Sequence, residues 1–170
     1  LRGRNAKSDG QFELLLLTEN GPNDWWAMLR PGKRAQIGTE IRLRDRSGNV
    51  TDITAKVVEM NSEGHRRLTF QGTANILTCL DQLGEIPLPP YIKRETAHDD
   101  ADDAERYQTV YATQAGSVAA PTAGLHFTTE VLDRIRQLGV ETHPVTLHVG
   151  LGTFAPVKAE SLDEHVMHEE

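Results

Sequence analysis

Over its first seventy residues the chain alternates apolar and polar positions at the two-residue period of a half-buried strand. Ile41 and Leu43 alternate with Arg42 and Arg44, and Leu68 and Phe70 alternate with Thr69 and Gln71. Runs of this kind at 12–18, 25–30, 40–44, 53–60 and 68–71 are separated by turn clusters at Gly21-Pro-Asn-Asp, Pro31-Gly-Lys, Asp45-Arg-Ser-Gly-Asn and Asn61-Ser-Glu-Gly. Five short strands at such close spacing, each with one wet face, predict a small antiparallel barrel or curled sheet over residues 9–72. The period then changes. Ile76, Leu77, Leu80 and Leu83 predict a helix over 74–83, ended at Gly84. Val131, Ile135 and Leu138 predict a second helix over 128–138, stopped by Gly139. A third helix is expected to run to about Ala112, with Asp99, Asp100, Asp102, Asp103 and Glu105 at its start, where acidic groups complement the helix dipole.

The helix over 128–138 is flanked by two small-residue runs, Gly116–Phe127 and Thr146–Pro156. Read as strand, helix, strand, the segment is a right-handed βαβ unit, and both runs then leave the carboxyl ends of parallel strands, where open α/β sheets bind ligands. The fold class expected is therefore α/β in a multidomain α+β chain. A small antiparallel β-barrel-like domain (9–72) joins an α/β domain with a mainly parallel sheet (73–170), across the proline-rich stretch 86–94. Residues 1–8 are expected to connect to an N-terminal part that is missing.

Charge divides along the same line. Through Gly72 there are 12 Lys and Arg against 9 Asp and Glu; from Thr73 onward there are 6 against 16. Polyanion binding needs local cationic surface, not a positive total, so any RNA contact is expected in the first region, at Arg42, Arg44 and Arg46. A solvated strand face is the plainer reading of the same arginines. The single cysteine, Cys79, excludes an internal disulfide and a cysteine metal cluster, and its helical spacing suits a part-buried thiol. No apolar run approaches the roughly 20 residues of a membrane span.

Neither glycine-rich run is a P-loop, since Gly-Lys-Ser/Thr is absent, and Gly150-Leu-Gly152-Thr lacks the third glycine of a dinucleotide fingerprint. Backbone lining for a nucleoside-like ligand fits better, with Phe127 or Phe154 available to stack on a base. The alternative is that these glycines serve tight turns and the phenylalanines are core. His126 and His148 sit beside the two loops and supply imidazoles, a side chain suited to general-base work. Tyr107 and Gln108 are neighbours on the expected helix and point in different directions. His165 and His168 stand three apart with no glutamate between them, which does not match the zinc-protease signature. The metal reading is therefore none.

Five runs carry a resemblance: Ile86-Pro-Leu-Pro-Pro-Tyr-Ile-Lys-Arg94, Glu105-Arg-Tyr-Gln-Thr-Val-Tyr-Ala112, the two glycine-rich segments, and Glu164-His-Val-Met-His-Glu169. In this order and spacing they resemble the S-adenosylmethionine:tRNA ribosyltransferase-isomerase family of queuosine biosynthesis, over residues 1–170 and most closely after Leu83. Members of that family are longer, so the resemblance implies an internal fragment. It also implies a transferase that moves and isomerises the ribosyl group of S-adenosylmethionine onto 7-aminomethyl-7-deazaguanine in tRNA. Epoxyqueuosine would be formed, and adenine and methionine released. On this basis His126 or His148 is the candidate base and Thr122 and Thr153 its hydrogen-bonding partners. Pro121, Thr122, Gly124, Phe127, Gly150, Gly152, Thr153, Phe154 and Tyr107 are the candidate substrate-binding residues. S-adenosylmethionine enters as ribosyl-donating co-substrate, without a metal. The partner implied is precursor-modified tRNA, the setting cytoplasmic, and the state monomeric, with no membrane. The chain alone is expected to lack transfer activity. The competing readings are a non-catalytic S-adenosylmethionine- or RNA-binding module and a metal-dependent hydrolase built on the histidines.

Overall fold

The computed structural model describes residues 1–85, 106–114, 116–117 and 119–150. The chain forms two units, Leu1–His98 and Asp99–Glu170.

The first unit is a closed six-stranded antiparallel barrel. Its strands are β1 (Arg2–Asn5), β2 (Gln11–Gly21), β3 (Asp24–Arg30), β4 (Glu40–Arg44), β5 (Val50–Met60) and β6 (Arg66–Gln71), in the spatial order β1-β2-β3-β6-β5-β4. Alternation decides what lies inside. Phe12, Leu14, Ala27, Leu29, Ile41, Leu43, Ala55, Val57, Leu68 and Phe70 point inward and are buried, so the barrel is filled by side chains. Ile76 and Leu83 join that core from the segment that follows β6.

The barrel begins at Arg2, not at residue 9. β1 pairs with both β2 and β4 and so closes the ring. Its sequence, Arg-Gly-Arg-Asn, carries no large apolar residue, which is why alternation does not reveal it. The inward position is Gly3, where an added Cβ would lie 2.5 Å from Ile41 Cγ2 and 2.7 Å from the Arg42 carbonyl oxygen. Only a residue without a side chain fits there.

Two side chains fix the barrel ends. Asn23 takes a left-handed conformation (φ 58°) in the β2–β3 turn, a region that asparagine tolerates better than most residues. Its amide nitrogen donates to the carbonyls of Thr73 and Ala74, and its amide oxygen accepts from the backbone N–H of Ile76 at 2.7 Å. Arg66 is buried and its guanidinium donates to the carbonyls of Ala35 (2.7 Å), Gly32 (2.8 Å) and Gly64. It thereby ties the β3–β4 connection to the β5–β6 turn.

The helix expected over 74–83 is instead a 3-10 turn, Ile76–Cys79, followed by one α-turn, α1 (Leu80–Leu83). Asn75 caps it through its side chain, which accepts from Leu77 N–H. Cys79 is half-buried, with its sulfur 3.2 Å from the Thr73 hydroxyl.

In the second unit the helix α2 (Thr129–Gln137) forms where the apolar spacing places it, between the Thr128 cap and Gly139 at φ 78°. The mainly parallel sheet expected around it is not present among the described residues. Among the described residues every strand pair is antiparallel, all six strands precede residue 72, and residues 112–114, 116–117, 119–121 and 140–150 form no strand. The physical reason lies in the small residues. Ser117, Ala119 and Ala120 offer little side-chain surface to hold a sheet, Gly116 sits at φ 138°, and Pro121 lacks a ladder donor. The helix expected to reach Ala112 is likewise absent from the described part: residues 107–112 are turns and irregular chain. Residues 99–105, where its acidic start was placed, lie outside the described residues.

Candidate functional site

Pro121 opens a 3-10 turn over Thr122–His126, in which Gly124 N–H donates to the Pro121 carbonyl (2.7 Å) and Phe127 N–H to the Gly124 carbonyl (3.1 Å). The turn leaves most of its side chains outward and one position covered. Pro121, Thr122, His126 and Phe127 are exposed, whereas Gly124 is buried. What covers Gly124 is Tyr111, whose hydroxyl group lies directly over it, together with Thr109, whose Cγ2 would be 3.0 Å from an added Cβ. Thr109 is itself buried. The sequence reading assigned neither residue a role, although both belong to the recognised run 105–112. The available signal was Tyr111 four residues after Tyr107, with Thr109 midway between them.

The two small-residue segments do meet. An added Cβ at Gly116 would lie 2.5 Å from His148 Nδ1. The Ser117 hydroxyl donates to the Ala119 carbonyl (2.8 Å) and is within 3.4 Å of the Val149 carbonyl. Coil packed on coil, not strands in a sheet, holds Gly116–Ser117 against His148–Val149. His126 and His148 are both exposed, and no hydrogen bond joins them. Gly150 is half-buried with open space where a Cβ would point. Tyr107 is half-buried in the turn after Arg106, and the Gln108 side chain accepts from Thr109 N–H at 3.1 Å. Gly152, Thr153, Phe154, His165 and His168 lie outside the described residues.

α2 borders this region. Thr128 Oγ1 accepts from Val131 N–H at 3.3 Å, the usual device for satisfying a free donor at a helix start. The same threonine side chain holds the Glu130 carboxyl below its ordinary value. Among the described residues no three His, Cys, Asp or Glu side chains gather as a metal site, and no helix is long and apolar enough to cross a membrane.

Against this geometry stand the known proteins. The family model described as queuosine biosynthesis protein matches residues 1–170. The chain belongs to this family. It is 47% identical over 170 residues to the S-adenosylmethionine:tRNA ribosyltransferase-isomerase of Caldanaerobacter subterraneus subsp. tengcongensis, covering 100% of this chain and 47% of that protein. The protein of that name from Thermoanaerobacter sp. is 46% identical with the same coverage. This queuosine-family chain thus spans about half the length of the curated relatives it matches. A crystal structure of the S-adenosylmethionine tRNA ribosyltransferase from Thermotoga maritima is 20% identical, covering 82% of this chain and 34% of that one, at a TM-score of 0.37.

The three arginines read as RNA contacts occupy different settings in the queuosine-family barrel. Arg42 is exposed on the outer face of β4, and among the described residues no ion pair or hydrogen bond engages its side chain. Arg44 shares that face, with a buried Nε that has no hydrogen-bonding partner. Arg46 lies in the β4–β5 turn, where its Nε donates to the Gly84 carbonyl at 2.6 Å and its backbone N–H to Gln82. It anchors the end of α1 to the barrel.

Proposed function

We propose that the protein carrying this chain transfers and isomerises the ribosyl group of S-adenosylmethionine onto 7-aminomethyl-7-deazaguanine in tRNA. The product is epoxyqueuosine-tRNA, with adenine and methionine released. The observation that carries this reading is the 46–47% identity, over the whole chain, to relatives named for the reaction. The paired small-residue segments lend it a physical basis. Exposed backbone at Gly116 and Ser117, with open space beside the half-buried Gly150, gives a nucleoside and its sulfonium close access to carbonyl oxygens. The positive sulfur acidifies the adjacent ribose C5′ proton, so a base of near-neutral pKa suffices to remove it. His148 is the better placed of the two candidates, because it lies against Gly116 and next to Val149, whereas His126 ends an outward-facing turn. Thr122 would orient the ligand, and Phe127, 39% exposed, offers a face for adenine. The reaction needs no resident metal in this reading. A cytoplasmic monomer acting on precursor-modified tRNA completes it.

The test is adenine release, followed by chromatography, when the native-length protein is incubated with S-adenosylmethionine and precursor-modified tRNA. Release that requires both substrates and falls at least 100-fold in His148→Ala is the expected outcome. An unchanged rate in that variant moves the base elsewhere, and no release by the parent protein overturns the reading.

A further inference from the structure

The barrel interior is packed, so a ligand of the first unit must lie on its outer surface. On that surface the register produces an unusual arrangement. β1 pairs with β4 so that Arg2 stands opposite Arg44 and Arg4 opposite Arg42. Directly opposed residues of an antiparallel pair share a face, and Ile41 and Leu43 are buried on the inner one. All four guanidinium groups therefore emerge outward, in two like-charged cross-strand pairs. Such pairs destabilise a sheet.

The acidic neighbours do not cancel them. Arg2 meets Glu85 at 2.7 Å while its side chain stays 60% exposed, and Arg4 meets Asp9. Glu13 on β2 lies opposite Arg2, but it also faces Arg30 on β3. Glu40, two residues before Arg42, is matched by Lys56 on β5. Arg42 and Arg44 have no carboxylate partner among the described residues, and the Nε atoms of Arg4 and Arg44 lack a hydrogen-bond acceptor.

We propose that this β1–β4 face is a phosphodiester-binding surface, on which Arg2, Arg4, Arg42 and Arg44 engage successive phosphates of the acceptor RNA. Successive outward residues on one strand are about 6.5–7 Å apart, so the two pairs suit a ligand with repeated anions better than a single small one. Planar guanidinium groups match phosphate oxygens with paired hydrogen bonds. This inference rests on the reading that tRNA is the acceptor, and it replaces Arg46 with Arg2 and Arg4 in the contact set.

The experiment measures binding of unmodified tRNA transcript to the native-length protein from 50 to 300 mM salt, comparing the parent, the Arg42→Gln/Arg44→Gln double variant, and Lys56→Gln as a single-charge change on β5, outside the β1–β4 pair. The double variant is expected to bind about tenfold more weakly at moderate salt, with the log–log salt slope shallower by roughly 1.5, since each lost phosphate contact removes about 0.7–0.9. Its thermal midpoint without RNA should stay level or rise, because repulsion is relieved, and Lys56→Gln should keep the parent slope. A parental slope in the double variant overturns the surface while leaving the reaction intact. A fall in its RNA-free midpoint of more than a few degrees also overturns it, by showing that the arginines are structural. No tRNA binding by the parent overturns both this inference and the reaction reading, and calorimetry with S-adenosylmethionine shows whether the donor site survives independently.

Discussion

At the scale of single residues, the glycines of the candidate site do different jobs. Gly124 is a packing position: its missing side chain makes room for Tyr111 and Thr109. Gly150 has open space before it. Gly124→Val should therefore destabilise the second unit by about 1–3 kcal/mol, the usual cost of overfilling a packed place. Gly150→Val should leave stability unchanged and weaken S-adenosylmethionine binding. Urea unfolding beside calorimetric titration separates the two, and equal stability losses would refute the distinction. Charge at the residue scale is equally local. Arg67 donates to both carboxylate oxygens of Asp24 (2.7 and 2.8 Å) and also meets Glu59. The hydrogen bond from Arg67 is the main cause that holds the Asp24 carboxyl below its usual 3.8. A carboxyl lowered on folding stabilises the native state fully above its unfolded value, and that contribution disappears as pH falls through the lower folded value. Stability of the parent should therefore fall as pH drops from about 5 toward 2.5, and Arg67→Gln should fall less steeply over the same interval. Parallel unfolding midpoints for the two proteins across that range would contradict the assignment.

Elements were legible to the extent that their signal is local. β2 to β6 announce themselves because buried and exposed residues alternate within each run, and α2 because a Thr cap, an apolar stripe and a terminal glycine all lie within a dozen residues. β1 has only a glycine for an inward residue, so no periodicity marks it; its place depends on β2 and β4, which are distant in sequence. The segments around α2 show the converse. Their valines and leucines suggest strands, yet strands need partners, and the small residues beside them give little to pair with. The cap of α2 allows a direct check. Thr128→Ala removes the acceptor for Val131 N–H and should cost about 1 kcal/mol, seen as faster amide exchange confined to 129–137. Unchanged exchange there would mean that packing, not the cap, sets the start of this helix.

For the whole molecule, the division into a more basic first part and an acidic second part was visible in the charge count, and the barrel character of the first part in its turns. Less visible was how charges would group in space. Arg2 and Arg4 are 42 and 38 residues from Arg44 and Arg42, and only closure of the ring sets them opposite one another. The site residues were legible as loops but not as contacts: the meeting of Gly116 with His148 spans thirty-two residues and follows from no periodic pattern.

Closure through Gly3 also bears on how this chain is made. Of the six barrel strands β1 is synthesised first, but one of its two neighbours, β4, comes some forty residues later, and β3 must wait for β6. Until Gln71 has emerged, the ring cannot be complete, and the nascent chain carries unpaired strand edges that invite pairing with other chains. Once Gly3 slides beneath Ile41 the last edge disappears. The finished barrel then has no free ladder to offer a neighbour, so the short glycine-centred strand guards the protein against the very association to which its synthesis exposes it.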